Sequence, residues 1–354
     1  MRTIAILIVA VAMTVCADAR GDFPSFPVCV AQGEQGTPAV SGNVVVWTDY
    51  RNAVWEVYGK ALPAGSEVPI AVGSRNRGDP DISGDTVVWS ERVGDHLFIY
   101  GQGFSGGSIF PICTNDSYYG WASSPAISGN TVVWTDERNG GAIKRTIYGK
   151  DLTTNTEFVV CANNARQENP SISGNVVVWQ EYRTNGDTDI GGKNIATGDL
   201  LVVCTNNSAQ LNPAISGNAV VWEDYRNGES NIDIYGKDLS TGQELLVCTA
   251  SGIQQHPAIS GNIVVWEDHR GPYAAVYGKD LSTGAEFPIC TGPGRNHRSP
   301  AISGNTVVWV DDRNGYWDIY GATIPEPASL SLLALGFALS LSKGGLAVMR
   351  RRRA

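Results

Sequence analysis

A chain of 354 residues with 41 glycines, 10 tryptophans and a formal net charge of −9 has the profile of many short strands joined by tight turns. Its acidity argues against nucleic acid or anionic lipid as a partner, because both require phosphate neutralisation by a basic surface. The middle of the chain carries no long helical periodicity, which excludes a helix-rich architecture there.

In chain order, Arg2, the apolar run from Ile4 to Val15 and the small residues Ala17 and Ala19 read as a secretory signal cleaved after Ala19. The run is short for a bilayer span, which argues against an uncleaved anchor. Cys16 invites a lipoprotein reading, but Met13-Thr14-Val15 is a poor approach to a lipidated cysteine.

Seven similar segments of about 44 residues follow, led by Pro38, Pro80, Pro125, Pro170, Pro213, Pro257 and Pro300. A period of this size with four strands per unit is the pattern of propeller blades. The fifth unit shows the elements. Ala214-Ile215-Ser216 is a strand, Gly217-Asn218 a two-residue turn, and Ala219 to Glu223 a second strand. Val220-Val221-Trp222 is apolar on both faces, so blades must cover it on both sides. A third strand begins at Asp233-Ile234-Tyr235-Gly236, and a fourth runs from Glu244 to Thr249.

The seventh unit stops after its third strand at Asp318-Ile319-Tyr320-Gly321, while Phe26 to Val30 match the fourth strand Phe287 to Thr291 of another unit. The expected fold is therefore all-β: a seven-bladed β-propeller of four-stranded blades, closed by the N-terminal strand completing the last blade. Closure removes exposed sheet edges.

On the Pro-x-Ile-Ser-Gly-Asn starts, the Val-Val-Trp strands, the Asp-x-Arg-Asn-Gly turns and the Asp-Ile-Tyr and Leu-x-Thr-Gly-x-Glu segments, residues 26–322 resemble the TolB-type propeller repeat. The resemblance implies a propeller and often a role in protein interaction, and it does not imply an enzyme. Gly191 in place of the Tyr, Ala71 in place of the Cys, and a second unit shortened to Glu91-Arg92 depart from the pattern.

Trp47, Trp89, Trp134, Trp179, Trp222, Trp266 and Trp309 recur strictly and are expected to pack between blades. The Asp-x-Arg pairs, such as Asp49/Arg51 and Asp224/Arg226, are expected to hold turns. Calcium is the sharper alternative, weakened because Arg stands where a ligand oxygen is wanted. Cys29, Cys113, Cys161, Cys204, Cys248 and Cys290 share one repeat position, too far apart on neighbouring blades to bridge. They read as small buried apolar residues. His96, His256, His269 and His297 fall in loops of different units, without metal-binding or nucleophile-elbow spacing. No catalytic residue, metal ligand or cofactor is assigned.

The Ser-Gly-Asn and Thr-Gly turns on one face scarcely vary, whereas the opposite face carries variable loops, the usual place for function on a rigid scaffold. Candidate binding residues there are Tyr118, Tyr119 and Trp121 in one blade-joining loop, and Trp55, Tyr273, Tyr316 and Trp317 in turns. Such rings suit sugar stacking or protein contacts.

The chain then reaches Pro325-Glu326-Pro327, a mainly apolar stretch from Ala328 to Met349, and Arg350 to Arg353. This end resembles the PEP-CTERM sorting signal of exported bacterial proteins, which implies processing by an exosortase-type membrane protease. The segment is long enough to span, with its arginines on the cytoplasmic side; a plain C-terminal anchor is the alternative. Processing at both ends removes Arg2, Lys343 and four arginines against one acid, Asp18, leaving a still more acidic globule. The organisation read from sequence is a signal peptide (1–19), a propeller (20–323) and a sorting signal (324–354). The expected function is a non-catalytic binding or scaffold module of the cell surface or extracellular matrix, with a protein or polysaccharide partner and membrane contact only through the unprocessed tail. The alternative is a propeller-fold polysaccharide lyase or hydrolase, which requires histidines and carboxylates converging at the channel mouth.

Overall fold

Val45, Val46 and Trp47 are each 0% exposed, so the second strand of the first blade is covered on both faces, as its unbroken apolarity requires. The computed structural model describes residues 22–114, 122–138, 144–163, 165–184 and 186–325. These form 28 strands in seven four-stranded antiparallel sheets. In the fifth blade the strands are Gln210–Ser216, Ala219–Asp224, Asp233–Asp238 and Glu244–Cys248, paired in that order. Among the described residues there is no helix long and apolar enough to cross a membrane.

The ring closes as the sequence requires. Ser25–Cys29 pairs antiparallel with Asp318–Thr323, with Phe26 opposite Gly321. The strand begins one residue earlier than the repeat match indicates. Upstream, Phe23 donates its N–H to the Ile289 carbonyl of the sixth blade and packs edge-on against Phe287.

Each tryptophan is an inter-blade residue. Trp47 of the first blade packs among Val28, Val308 and Ile319 of the seventh. Burial of such a ring contributes roughly 4–6 kcal/mol before entropy is counted. Its indole N–H is satisfied by the carboxylate two residues on: Trp47 donates to Asp49 over 3.1 Å and Trp222 to Asp224 over 3.0 Å. Asp49 also accepts from the backbone N–H, Nε and Nη2 of Arg51. Burial works to raise its pKa, but these bonds hold the carboxyl below the ordinary aspartate range. The carboxylates read as turn-holders are thus saturated by their own chain. The arginines also lie over the ring of the third-strand tyrosine, Arg226 at 3.7 Å from the Tyr235 centroid.

None of the six described cysteines forms a disulfide, and all are buried. Six of the seven outermost strands carry one, the first blade having Ala71 instead, and Cys29 shows the contact with the next blade: 3.3 Å to Arg51 and 3.7 Å to Asp49. In the second unit the shortened turn is a tight hairpin between Thr86–Val93 and His96–Gly103. The histidines depart from the loop reading. His96, His256 and His297 stand in strands, and only His269 lies in a turn. His297 pairs with Asp311 on the inner strand of the seventh blade, His256 sits in the inner-strand bulge of the sixth, and His96 opens the third strand of the second, opposite Val93.

Candidate functional site

The first strand of every blade lines the central channel. Thr37, Asp79, Ser124, Asn169, Asn212, His256 and Ser299 each precede the leading proline of their blade. All seven adopt left-handed backbone angles, φ 41–51°, although a residue before proline favours extended geometry. A register shift marks the same place in every blade, for example between Gly36 and Ala39. This bulge, with its cost of about 1–3 kcal/mol per residue, puts seven polar residues into the wall of a cavity of about 380 Å³. Asp81 also lines it, and burial pushes its carboxyl up to about 6 while the N–H groups of Ile82 and Ile127 bind it.

Towards the face of the variable turns, the channel mouth loses its sevenfold likeness. The residue after each repeat tryptophan is Thr48, Ser90 and Thr135 in blades 1–3, but Gln180, Glu223 and Glu267 in blades 4–6 and Val310 in blade 7. All are buried. The residue before each bulge follows the same division: Gly36, Gly78 and Ser123, then Glu168, Leu211, Gln255 and Arg298. One side of the mouth is walled by small groups and the other mostly by long polar ones, with Leu211 and Val310 the exceptions.

The functional side is a continuous network. Glu267 accepts from Gln255 (3.0 Å) and from the Ser299 N–H (3.1 Å), and it pairs with His256 Nδ1 (3.1 Å) and His269 Nε2 (2.7 Å). Arg298 Nε lies 3.8 Å from the same carboxylate. Burial would raise the Glu267 pKa, but the two imidazoles hold it down to about 2. The Glu267 bond in turn raises the pKa of His256. Glu223 accepts from the His256 N–H (2.7 Å) and from Asn212 Nδ2 (2.9 Å). Asn212 accepts from Asn169, which donates also to Gln180. Gln180 and Tyr182 reach Glu168, which Arg145 and Arg166 bind. With Nδ1 fixed by Glu267, His256 offers Nε2 to a ligand in the channel; its side chain is 47% exposed. A carboxylate-oriented imidazole is suited to hydrogen bonding or proton transfer.

The four described aromatic residues chosen from sequence, Trp55, Tyr273, Tyr316 and Trp317, make separate contacts. Trp317 is the one joined to this network, lying under Arg298 at 5.0 Å. Its N–H is held by Glu34 and its carbonyl by the Gln35 N–H. Trp55 packs on Tyr50 (5.1 Å), with its carbonyl bound by Arg77. Tyr273 borders a smaller cavity in the sixth blade, and Tyr316 is exposed at a turn of the seventh. Tyr118, Tyr119, Trp121, Glu326 and Pro327 lie outside the described residues, whereas Pro325 follows Ile324, just past the last strand. Sequence reasoning missed Glu223, His256, Glu267 and Arg298. Their signal was departure from the small residues that blades 1–3 carry at the same repeat positions.

This architecture defines a closed seven-bladed β-propeller with an asymmetric, hydrogen-bonding channel mouth, of TolB-like fold. The chain is similar in fold to oligogalacturonate lyase from Vibrio parahaemolyticus (TM-score 0.63, 13% identity, 84% of this chain and 92% of that one). It is similar likewise to the propeller domain of the Trilobed protease from Pyrococcus furiosus (0.61, 14%, 82% and 95%) and to TolB from Acinetobacter baumannii (0.52, 17%, 71% and 63%). At such identities the likeness is one of fold. No family model and no curated protein matches the chain.

Proposed function

We propose that the protein is an exported, non-catalytic propeller that binds a hydroxyl-rich polymer, a polysaccharide, at the asymmetric mouth of its channel. The observation that carries this reading is the broken repeat: carboxylates, amides, imidazoles and a guanidinium on blades 4–7 face small side chains on blades 1–3. Closely spaced donors and acceptors of both signs on a rigid frame match the hydrogen-bonding demands of sugars, and Trp317 supplies a ring beside them. The signal-like start and the Pro-Glu-Pro tail support delivery to the cell envelope or surface, with processing by an exosortase-type protease. A glycan array probed with the purified protein and with its Glu267→Gln and Trp317→Ala variants tests the proposal. Binding lost in both variants supports it. The absence of any glycan binding refutes it and turns the search to a protein partner.

A second reading, a polysaccharide lyase or hydrolase, draws on one specific observation: the His256 imidazole oriented by Glu267 beside Glu223. It requires turnover. Appearance of new reducing ends or unsaturated sugar products, abolished by His256→Ala, would replace the binding reading.

A further inference from the structure

The residue paired with the turn carboxylate at the start of the inner strand is Gln35, Gln167, Gln210 or Gln254 in blades 1, 4, 5 and 6, paired with Asp49, Glu181, Asp224 and Asp268. Gln35 spends its amide on loop carbonyls, donating to Gly33 over 2.9 Å. In the seventh blade the residue is His297, paired with Asp311 and 1% exposed. Its Nδ1 lies 2.8 Å from Asp311, and its Nε2 3.6 Å from the Cys290 sulfur of the sixth blade.

A second departure falls at the same seam. In blades 1, 3, 5 and 6 the turn arginine has a further carboxylate on the outermost strand: Glu67, Glu157, Glu244 and Glu286. In the seventh blade that strand is the N-terminal one, and Arg313 meets Ser25 over 3.1 Å instead. Arg313 Nη2 is 3.9 Å from the Cys290 sulfur. Cys29 therefore faces one guanidinium against two carboxylates, Asp49 and Glu67. Cys290 faces Arg313 and His297 against Asp311, with Asp22 beyond it on Thr291. Both exchanges make the surroundings of Cys290 more positive. Positive neighbours favour the thiolate, the reactive form.

We propose that Cys290 and His297 form a thiolate–imidazolium pair, and that Cys290 is a peroxide-sensitive modification site. Cys290 is buried, but Gly292, which lines a cavity of about 190 Å³ with Thr291, Pro293 and Tyr273, lies beside His297. A Cβ at Gly292 would lie 3.6 Å from His297 Nε2, so the glycine keeps the approach thin. The thiolate attacks one peroxide oxygen. An S–O bond forms, the O–O bond breaks, and the departing hydroxide takes the Nε2 proton and leaves as water. Sulfur is oxidised to the sulfenic acid, peroxide is reduced, and His297 is left neutral. Supporting this, burial acts to lower the His297 pKa, but Asp311 and Cys290 outweigh it and carry it up to about 9. Burial pushes the Cys248 thiol up to about 12.

The test treats the purified full-length protein with dilute hydrogen peroxide at pH 7 in the presence of dimedone, then quantifies adducts at each cysteine by peptide mass spectrometry. Cys290 should be labelled at least about tenfold faster than Cys29 or Cys248. His297→Gln, which installs the residue of blades 1, 4, 5 and 6, should remove that advantage. Ser25→Glu, which restores the second carboxylate, should reduce it and serves should His297→Gln fold poorly. Equal labelling of the six described cysteines, labelling only on unfolding, or an advantage untouched in both variants would overturn the proposal. So would protection of Cys290 by stoichiometric Zn²⁺ reversed by a chelator, since the pair would then be a metal site.

Discussion

The backbone N–H of Gly42 donates to Ser303 Oγ over 2.9 Å, joining the first blade's turn to that of the seventh across 261 residues of sequence. The same bond runs from Gly84 to Ser41, Gly129 to Ser83, Gly174 to Ser128, Gly217 to Ser173, Gly261 to Ser216 and Gly304 to Ser260. Seven identical links make a closed circle, which explains the unvarying Ser-Gly turns. Ser303→Ala and Ser173→Ala should each cost about 0.5–1.5 kcal/mol in denaturant melts, the closing seam being no weaker than the rest. Deleting residues 22–30 removes the strand paired with Asp318–Thr323 and should abolish the single cooperative transition.

Asp224 is fully buried and holds Trp222, the Arg226 backbone and the Arg226 guanidinium. Asp224→Ala leaves the indole N–H unsatisfied and the arginine short of a partner. A loss of about 3–5 kcal/mol is expected, read as a shifted denaturation midpoint with unchanged slope. Asp224→Asn, which retains an acceptor, should lose less.

The mouth makes a spectroscopic prediction. Because Glu267 raises the His256 pKa, Glu267→Gln should return it towards the ordinary histidine value, seen as a downward shift in the imidazole titration by NMR. If glycan binding uses protonated His256, binding should weaken as pH rises through its titration.

His297 links stability to pH. Its folded pKa, about 9, lies above the unfolded value near 6.5. The stabilisation is therefore fully present below about pH 6.5 and is lost as pH rises through about 9, amounting to about 3 kcal/mol at most. With Cys290→Ser in both proteins, so that no thiol proton is lost on folding, the melting temperatures with and without His297→Gln should converge as pH rises from about 6.5 to about 10. A gap independent of pH would show that the histidine acts by packing alone.

Much of the fold is legible because it is written seven times. The Val-Val-Trp strand needs cover on both faces, and the fourth-strand match at Phe26 leaves closure as its consistent place. The cysteine positions likewise exclude bridging. The mouth was less legible. His256 and Glu267 are 11 residues apart and His256 and Glu223 are 33 apart, distances at which no spacing rule applies. The exposed rings of Tyr273 and Tyr316 drew notice by their chemistry, but exposure alone does not bring residues together.

The sequence by itself determined the number of blades, the strands of each, the closing strand and the residues between blades, because periodicity and two-faced apolarity are local properties that pairing must obey. Only the tertiary structure decided which polar residues meet. The left-handed bulge before each leading proline turns His256 and its six counterparts into the channel. Closure of the ring sets Cys290, His297, Arg313 and Ser25 at one seam. Those encounters depend on a circular arrangement that pairs the first described strand with the last, and no linear pattern encodes the distances it creates.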